Sequence, residues 1–384
     1  MPVATLVDSP SPAARRGRAL AHAVSPQVWR QALSVTRPAG VVGPATRVGL
    51  AVAVILIGAG LFDMTELAGF AALGAVASAF GRSQVHRERA VKVAFAGFAL
   101  LLVAFFGGLL GAVGTTAAVL IVVLAVLVGV CAIVLNAFGV AGPGAVVMSF
   151  AAAAAAGYAH DWSDLVTVTV ATAIGAVIGW LCAMSTVVVG LSRDAHSADS
   201  TASMFLRTGL RRLRSRSLYV AAARIAIAAT VAGWVALGVG FEHPLWASMG
   251  AIAALQGVAY EHTVRRGIQR LLGNVVGAVI AAGLIALSLG YWQAAVLIVL
   301  LQITAELTVM SNYAITSAAI APMSLLIIGL VSPVDAGDAL ARAGDTLIGV
   351  VIGVVIAALT LDRTDRTHLT VARGHIAQAT NCAA

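Results

Sequence analysis

The chain has 384 residues, 60% of them hydrophobic and only 10% charged, with a mean hydropathy of +0.98. Soluble globular domains carry roughly 25% charged residues, so this composition excludes that class and points to the membrane. The formal net charge of +8 does not indicate nucleic-acid binding, because the basic residues other than Arg47 and Arg342 fall into clusters at 15–37, 82–92, 193–224, 263–270 and 363–373. The acidic residues Asp63, Glu66, Asp161, Asp164, Glu242, Asp335 and Asp338 occupy the gaps between them. That alternation follows the positive-inside bias, which predicts a multi-pass protein of the bacterial inner (plasma) membrane with both termini cytoplasmic.

In chain order, residues 1–46 lack the apolar core of a cleavable signal peptide and are expected to form a cytoplasmic segment. Within it, Ser25-Pro26 is a helix start ahead of Val28, Trp29, Ala32 and Leu33, an interfacial helix. Over 47–188, continuous apolar runs predict six helices, beginning near Arg47, Glu66, Arg89, Thr116, Gly142 and Asp164. Residues 189–223 form a basic cytoplasmic linker. Its stretch 203–216 sets Met204, Phe205, Leu206, Leu210 and Leu213 against Arg207, Arg211, Arg212, Arg214 and Arg216, a pattern suited to the anionic lipids of the inner leaflet. A second set of six helices is expected over 224–361, beginning near Arg224, Pro244, Arg265, Tyr291, Ile315 and Asp338. Residues 362–384 are the cytoplasmic tail. Cys131, Cys182 and Cys382 have neither paired nor metal-ligand spacing, so no metal, cofactor or disulfide framework is expected.

An internal repeat organises these elements. "FAALGAVASAFGRSQVHRERAVKVAFAG" at 70–97 aligns without gaps on "WASMGAIAALQGVAYEHTVRRGIQRLLG" at 246–273. Gly74/Gly250, Gly81/Gly257, His86/His262, Arg89/Arg265 and Gly97/Gly273 match, and the same offset relates Asn136 to Asn312. The expected fold is therefore an all-α polytopic membrane protein of two parallel repeats, each with about six transmembrane helices, 10–12 spans in total. The second and fifth helices of each half read as short and marked by Gly and Pro. Corresponding short segments in two repeats point either to a binding site at their interface or to tilted spans. Gly175/Gly179, Gly349/Gly353 and Gly273/Gly277 are small-residue pairs that let helices pack closely.

The second half carries "GFEHPLWASMGAIAALQG", Arg270 with Gly273 and Gly277, Glu306 ahead of Asn312-Tyr313, and Arg342 with Asp345 and Gly349. In this order and spacing it resembles the fusaric acid resistance-like (FUSC) family of the aromatic acid exporter superfamily. The resemblance covers roughly 47–361 and is strongest in the second half. It implies export of aromatic or other small organic acids, and the same superfamily includes plant malate channels. The first half departs from the pattern, with Phe70 in place of Trp246, Ala94 in place of Arg270 and Ala171 in place of Asp345. Larger relatives carry a cytoplasmic domain between the halves, where this chain has a linker of only about 30 residues.

Polar residues at membrane depth are the candidate path. Between Arg270 and Asp335 lie 64 residues, of which Glu306 alone is formally charged. A charge at a helix centre costs about 2.5–3.5 kcal/mol on insertion scales, so such groups usually serve function. Glu306 reads as a proton-coupling carboxylate or as a hydrogen-bonded packing residue, with Gln302 and Tyr313 expected on its face. Arg342 and Asp345 either pair with each other, or Arg342 offers its planar fork to a substrate carboxylate. Arg270 is a topogenic charge or a ligand contact at the cytoplasmic mouth. Trp246 is an interface anchor or a stacking surface, and Asn274 and Gln256 are candidates for hydrogen bonds between helices.

No HExxH, GxSxG or P-loop is present, so enzymatic chemistry is not expected. The expected function is secondary-type efflux of small organic or aromatic carboxylates, coupled to protons at Glu306. The expected partners are that anion, protons, membrane lipids under the basic linker, and further copies of the chain. The alternatives are a passive organic-anion channel and a membrane scaffold for envelope assembly.

Overall fold

The computed structural model describes residues 17, 20–21, 23–36, 38, 40–82, 85–140, 142, 144–185, 201–256, 260–330 and 334–360. The expectations for residues 1–16, 189–200 and 362–384, Cys382 included, lie outside the described residues. The described chain is all helical, as its apolar runs dictate: lipid offers no partner for backbone N–H and C=O groups, and a helix satisfies them internally.

A short helix α1 (Pro26–Leu33) precedes the first half, α2 (Val42–Leu61), α3 (Thr65–Ala75, with a 3-10 turn at Val76–Phe80), α4 (His86–Ala112), α5 (Ala117–Ala137), α6 (Ala145–Tyr158) and α7 (Trp162–Met184). After α8 (Thr201–Arg212) the second half has α9 (Arg216–Gly238), α10 (Pro244–Leu255), α11 (Tyr260–Ala286), α12 (Tyr291–Thr308), α13 (Tyr313–Gly329) and α14 (Ala336–Leu359). Eight of these, α2, α4, α5, α7, α9, α11, α12 and α14, are long and apolar enough to cross a membrane. The shorter apolar helices are α3 with its 3-10 turn, α6, α10 and α13. At 12 residues α10 is about 18 Å long, well short of a hydrocarbon core of about 30 Å.

Helix starts are set by local chemistry. Pro244 opens α10 at its first turn, where a missing N–H is harmless. The side chains of Asp161, Asn312 and Asp335 cap α7, α13 and α14 by accepting hydrogen bonds from backbone N–H groups. α9 begins at Arg216, earlier than the charge pattern suggests, because the turn at Leu213–Ser215 separates it from α8.

The two halves show the same pairings. α4 packs on α6 and α7, and α3 on α7; α11 packs on α13 and α14, and α10 on α14. Glycine permits the tightest of these approaches. A methyl group on Gly175 would collide with the Ala71 carbonyl of α3, and one on Gly349 with the Ala247 carbonyl of α10. The fourth helix of each half, however, packs on the first helix of the other: α5 lies against α9, and α12 against α2. Tyr291 Oη seals the second contact by donating to the Leu56 carbonyl at 2.6 Å.

These pairings sort the charges by end. One end carries Arg47, Arg82, Arg89, Arg266 and the amphipathic helices α1 and α8; the other carries Asp161, Asp164, Glu242, Asp335 and Asp338. α1 docks with Val28 and Ala32 buried and Trp29 and Leu33 exposed. α8 sets Phe205 against Phe95 and Phe138, with ring centroids 5.7 and 5.2 Å apart. Its helix ends at Arg212, so the amphipathic stretch read over 203–216 is a helix followed by a turn.

Candidate functional site

A cavity of about 870 Å³ opens between the halves at the acidic end. Its size lies within the range of small-molecule sites. Both halves contribute aromatic walls: Phe70, Phe150 and Tyr158 from the first, Trp246 from the second. Phe70 and Tyr158 meet edge to face at 5.0 Å, and Phe150 and Trp246 approach at 5.7 Å. The aligned positions Phe70 and Trp246 thus line one shared cavity. Its mouth carries His160, Asp164, Glu242, His243 and Asp338.

Trp246 leads from the cavity to a buried cation. The guanidinium carbon of Arg342 lies 3.6 Å from the indole centroid, a desolvated cation–π contact of about 2 kcal/mol. Arg342 is 2% exposed, and its Nε and Nη1 find no acceptor among the described residues. Asp345 is fully buried, and neither carboxylate oxygen finds a donor among the described residues. The two residues are close enough to interact through charge, yet they do not form the ion pair that their i, i+3 spacing suggests. Arg342 is turned to Trp246 instead.

A line of hydrogen bonds runs from there toward the basic end. Thr346 Oγ1 donates to the Arg342 carbonyl at 2.8 Å, and Asn274 Nδ2 donates to Thr346 Oγ1. Ser317 Oγ donates to Asn274 Oδ1 at 3.1 Å. Arg270, 3% exposed on α11, reaches Tyr313 Oη at 3.5 Å from Nη1. Arg266 lies over the Tyr313 ring at 4.0 Å and donates to Gln256 Oε1 at 3.0 Å. Arg270 is therefore a buried side chain within this line, and Asn274 and Gln256 do bond between helices.

Glu306 is 5% exposed and turned into the protein. Its Oε2 accepts from Arg82 Nη2 at 2.6 Å, joining α12 of the second half to the segment after the 3-10 turn of the first. Gln302, one turn earlier, is buried on the same face. Tyr313 does not share that face: α12 ends at Thr308, and Asn312 restarts the helix as the cap of α13. Asn312 is taken up by backbone groups. Its Oδ1 accepts from the Ala314 N–H at 2.7 Å, and its Nδ2 donates to the carbonyls of Ala32 and Ser34 at 3.0 and 2.9 Å, which anchors α1.

Sequence reasoning missed Arg82, Thr346 and Ser317. Arg82 sat inside a basic cluster that the topology rule already explained, and nothing local links it to a carboxylate 224 positions away. Thr346 and Ser317 carry no charge and stand in apolar runs, where only helix packing reveals them.

With this geometry in place, the chain can be set beside known proteins. Residues 227–356 match the family described as fusaric acid resistance protein-like. The match runs from α9 into α14 and bears out the resemblance read from the second half. The uncharacterized membrane protein YvaC of Bacillus subtilis (strain 168) is 29% identical over 138 residues. That alignment covers 35% of this chain and 22% of the relative, so the chain matches about a fifth of that protein's length. No solved structure matches the chain. The protein is a multi-pass helical membrane protein whose residues 227–356 are similar to the fusaric acid resistance protein-like family, and Trp246, Arg270, Glu306, Arg342 and Asp345 all lie within the matched segment.

Proposed function

We propose that the protein is a secondary-type exporter that moves small organic and aromatic carboxylate anions out of the cytoplasm across the bacterial inner membrane. The observation that carries this reading is the aromatic cavity between the halves, with the buried Arg342 guanidinium stacked behind its Trp246 wall. Aromatic side chains suit a planar apolar body, and a guanidinium with two unpartnered nitrogens suits a carboxylate head. Charge segregation supports the direction. With the basic end and both termini in the cytoplasm, anions concentrate at the arginine-lined end and are repelled at the acidic mouth, which slows their return. The basic face of α8 rests on anionic lipid of the inner leaflet. Proton entry through Glu306 supplies the driving force in this reading.

The test is export of an aromatic acid such as benzoate from cells carrying or lacking the protein, scored by intracellular accumulation. Deletion raises accumulation, and Arg342→Gln reproduces the deletion while the protein stays in the membrane. Wild-type export in Arg342→Gln would remove that residue from the path, and equal accumulation with and without the protein would end the proposal. The buried polar side chains between Arg342 and Gln256 favour a second reading, a passive anion channel. Conductance that follows voltage with no dependence on the proton gradient selects it.

A further inference from the structure

At the basic end, charges from both halves converge around Arg82. Arg82 follows the 3-10 turn and is 22% exposed, the more accessible partner of its pair with Glu306. Arg47, on α2, donates from Nη2 to the Gly81 carbonyl at 3.2 Å and so holds the backbone directly ahead of Arg82. Arg47 Nε is buried with no acceptor among the described residues. Arg89 and Arg82 both lie within electrostatic reach of Arg47, and Arg89 is 2% exposed with its Nη2 against His86 Nδ1 at 2.9 Å.

Arg47 on α2, Arg89 on α4 and Arg82 after the 3-10 turn thus lie within electrostatic reach, and the carboxylate bound to Arg82 comes from α12 of the other half. Desolvated cations placed together are costly unless an anion is shared among them. Planar guanidinium donors match a carboxylate in particular. Glu306 supplies one such group on a helix that packs across the boundary between the halves.

We infer that Arg82, backed by Arg47 and Arg89, is a binding site for a small organic carboxylate at the basic mouth, and that Glu306 fills it as a built-in stand-in. The ligand class rests on the anion-export reading above; the site itself rests on this geometry. An incoming anion takes the place of the Glu306 carboxylate on Arg82 and thereby loosens α12 from the first half. The acidic-end cavity and this site then hold the anion at successive stages of one passage.

A tethered competitor makes an unusual forecast: removing it tightens binding. Titration calorimetry of benzoate into the purified full-length protein reads the dissociation constant. Glu306→Gln is expected to bind benzoate at least tenfold more tightly than wild type. Adding Arg82→Gln removes the gain, whereas adding Arg82→Lys, which keeps the charge, retains part of it; a general loss of structure would not spare the lysine variant. Unchanged or weaker binding in Glu306→Gln overturns the site, as does a gain that survives Arg82→Gln. The two readings fail separately. A flat titration with export intact removes the inner site alone, while absent export with an Arg82-dependent gain leaves the site standing and removes the exporter.

Discussion

The Asn312 amide makes three hydrogen bonds, one that starts α13 and two that hold the end of α1. Its place beside Tyr313 and near Glu306 makes it look like part of a polar path, and the structure makes it a clamp. Losing the side chain takes the partner from the Ala314 N–H and the Ser34 carbonyl, at about 1–3 kcal/mol, while the Ala32 carbonyl keeps its bond from Gln269 Nε2. Asn312→Ala is expected to lower the thermal midpoint and expose Arg30 of α1 to trypsin. Asn312→Asp retains the cap but loses both donors, so it should free α1 while affecting α13 less. Trypsin resistance equal to wild type in both variants would refute the clamp. Other single residues were legible for a different reason. Glu306 and Arg342 stand out because charge at membrane depth is rare, whereas their true contacts, Arg82 and Trp246, come from chain distances that no periodicity reports.

The helices themselves follow from the sequence with little loss, because an apolar run in lipid has few alternatives. Their order, their approximate starts and the shortness of α3, α6, α10 and α13 were all readable. What a run of alanines and valines hides is which face meets which neighbour. The glycines recover part of that, since Gly175 and Gly349 lie where backbones touch. Gly144 makes a further case: its φ of 67° suits glycine, and a Cβ there would lie 2.7 Å from Gln256 Nε2. Caps are also legible elements. The Asp161 carboxylate accepts from the Asp164 N–H at 2.9 Å and from the Ser163 hydroxyl at 2.7 Å, and these bonds hold it below the usual carboxylate range. A lowered folded value means the contribution is present above the unfolded value, near 3.9, and is lost as pH falls through the folded one. Asp161→Asn keeps an acceptor that does not titrate. Its thermal midpoint should therefore fall less than that of wild type as the pH is lowered from 5 to about 3; parallel curves would show that the cap does not carry this dependence.

At the scale of the molecule, α5 completes the second half and α12 completes the first. Each half thus leaves a helix face that the other covers, so residues 1–200 or 201–384 expressed alone should yield little stable membrane protein. Co-expressed, the two pieces should co-purify and restore export. Stable isolated halves would contradict the exchange. No property of the sequence announces this crossing, because a fourth helix is equally apolar whether it covers its own half or the other. The crossing has one more consequence. Two identical copies of a half could close the same ring, but every side chain at the centre would then appear twice, and a lone arginine or aspartate would meet its own image. Joining the halves in one chain removes that constraint. It lets Asp345 have Ala171 as its counterpart, so that the two halves can differ in charge at matching positions.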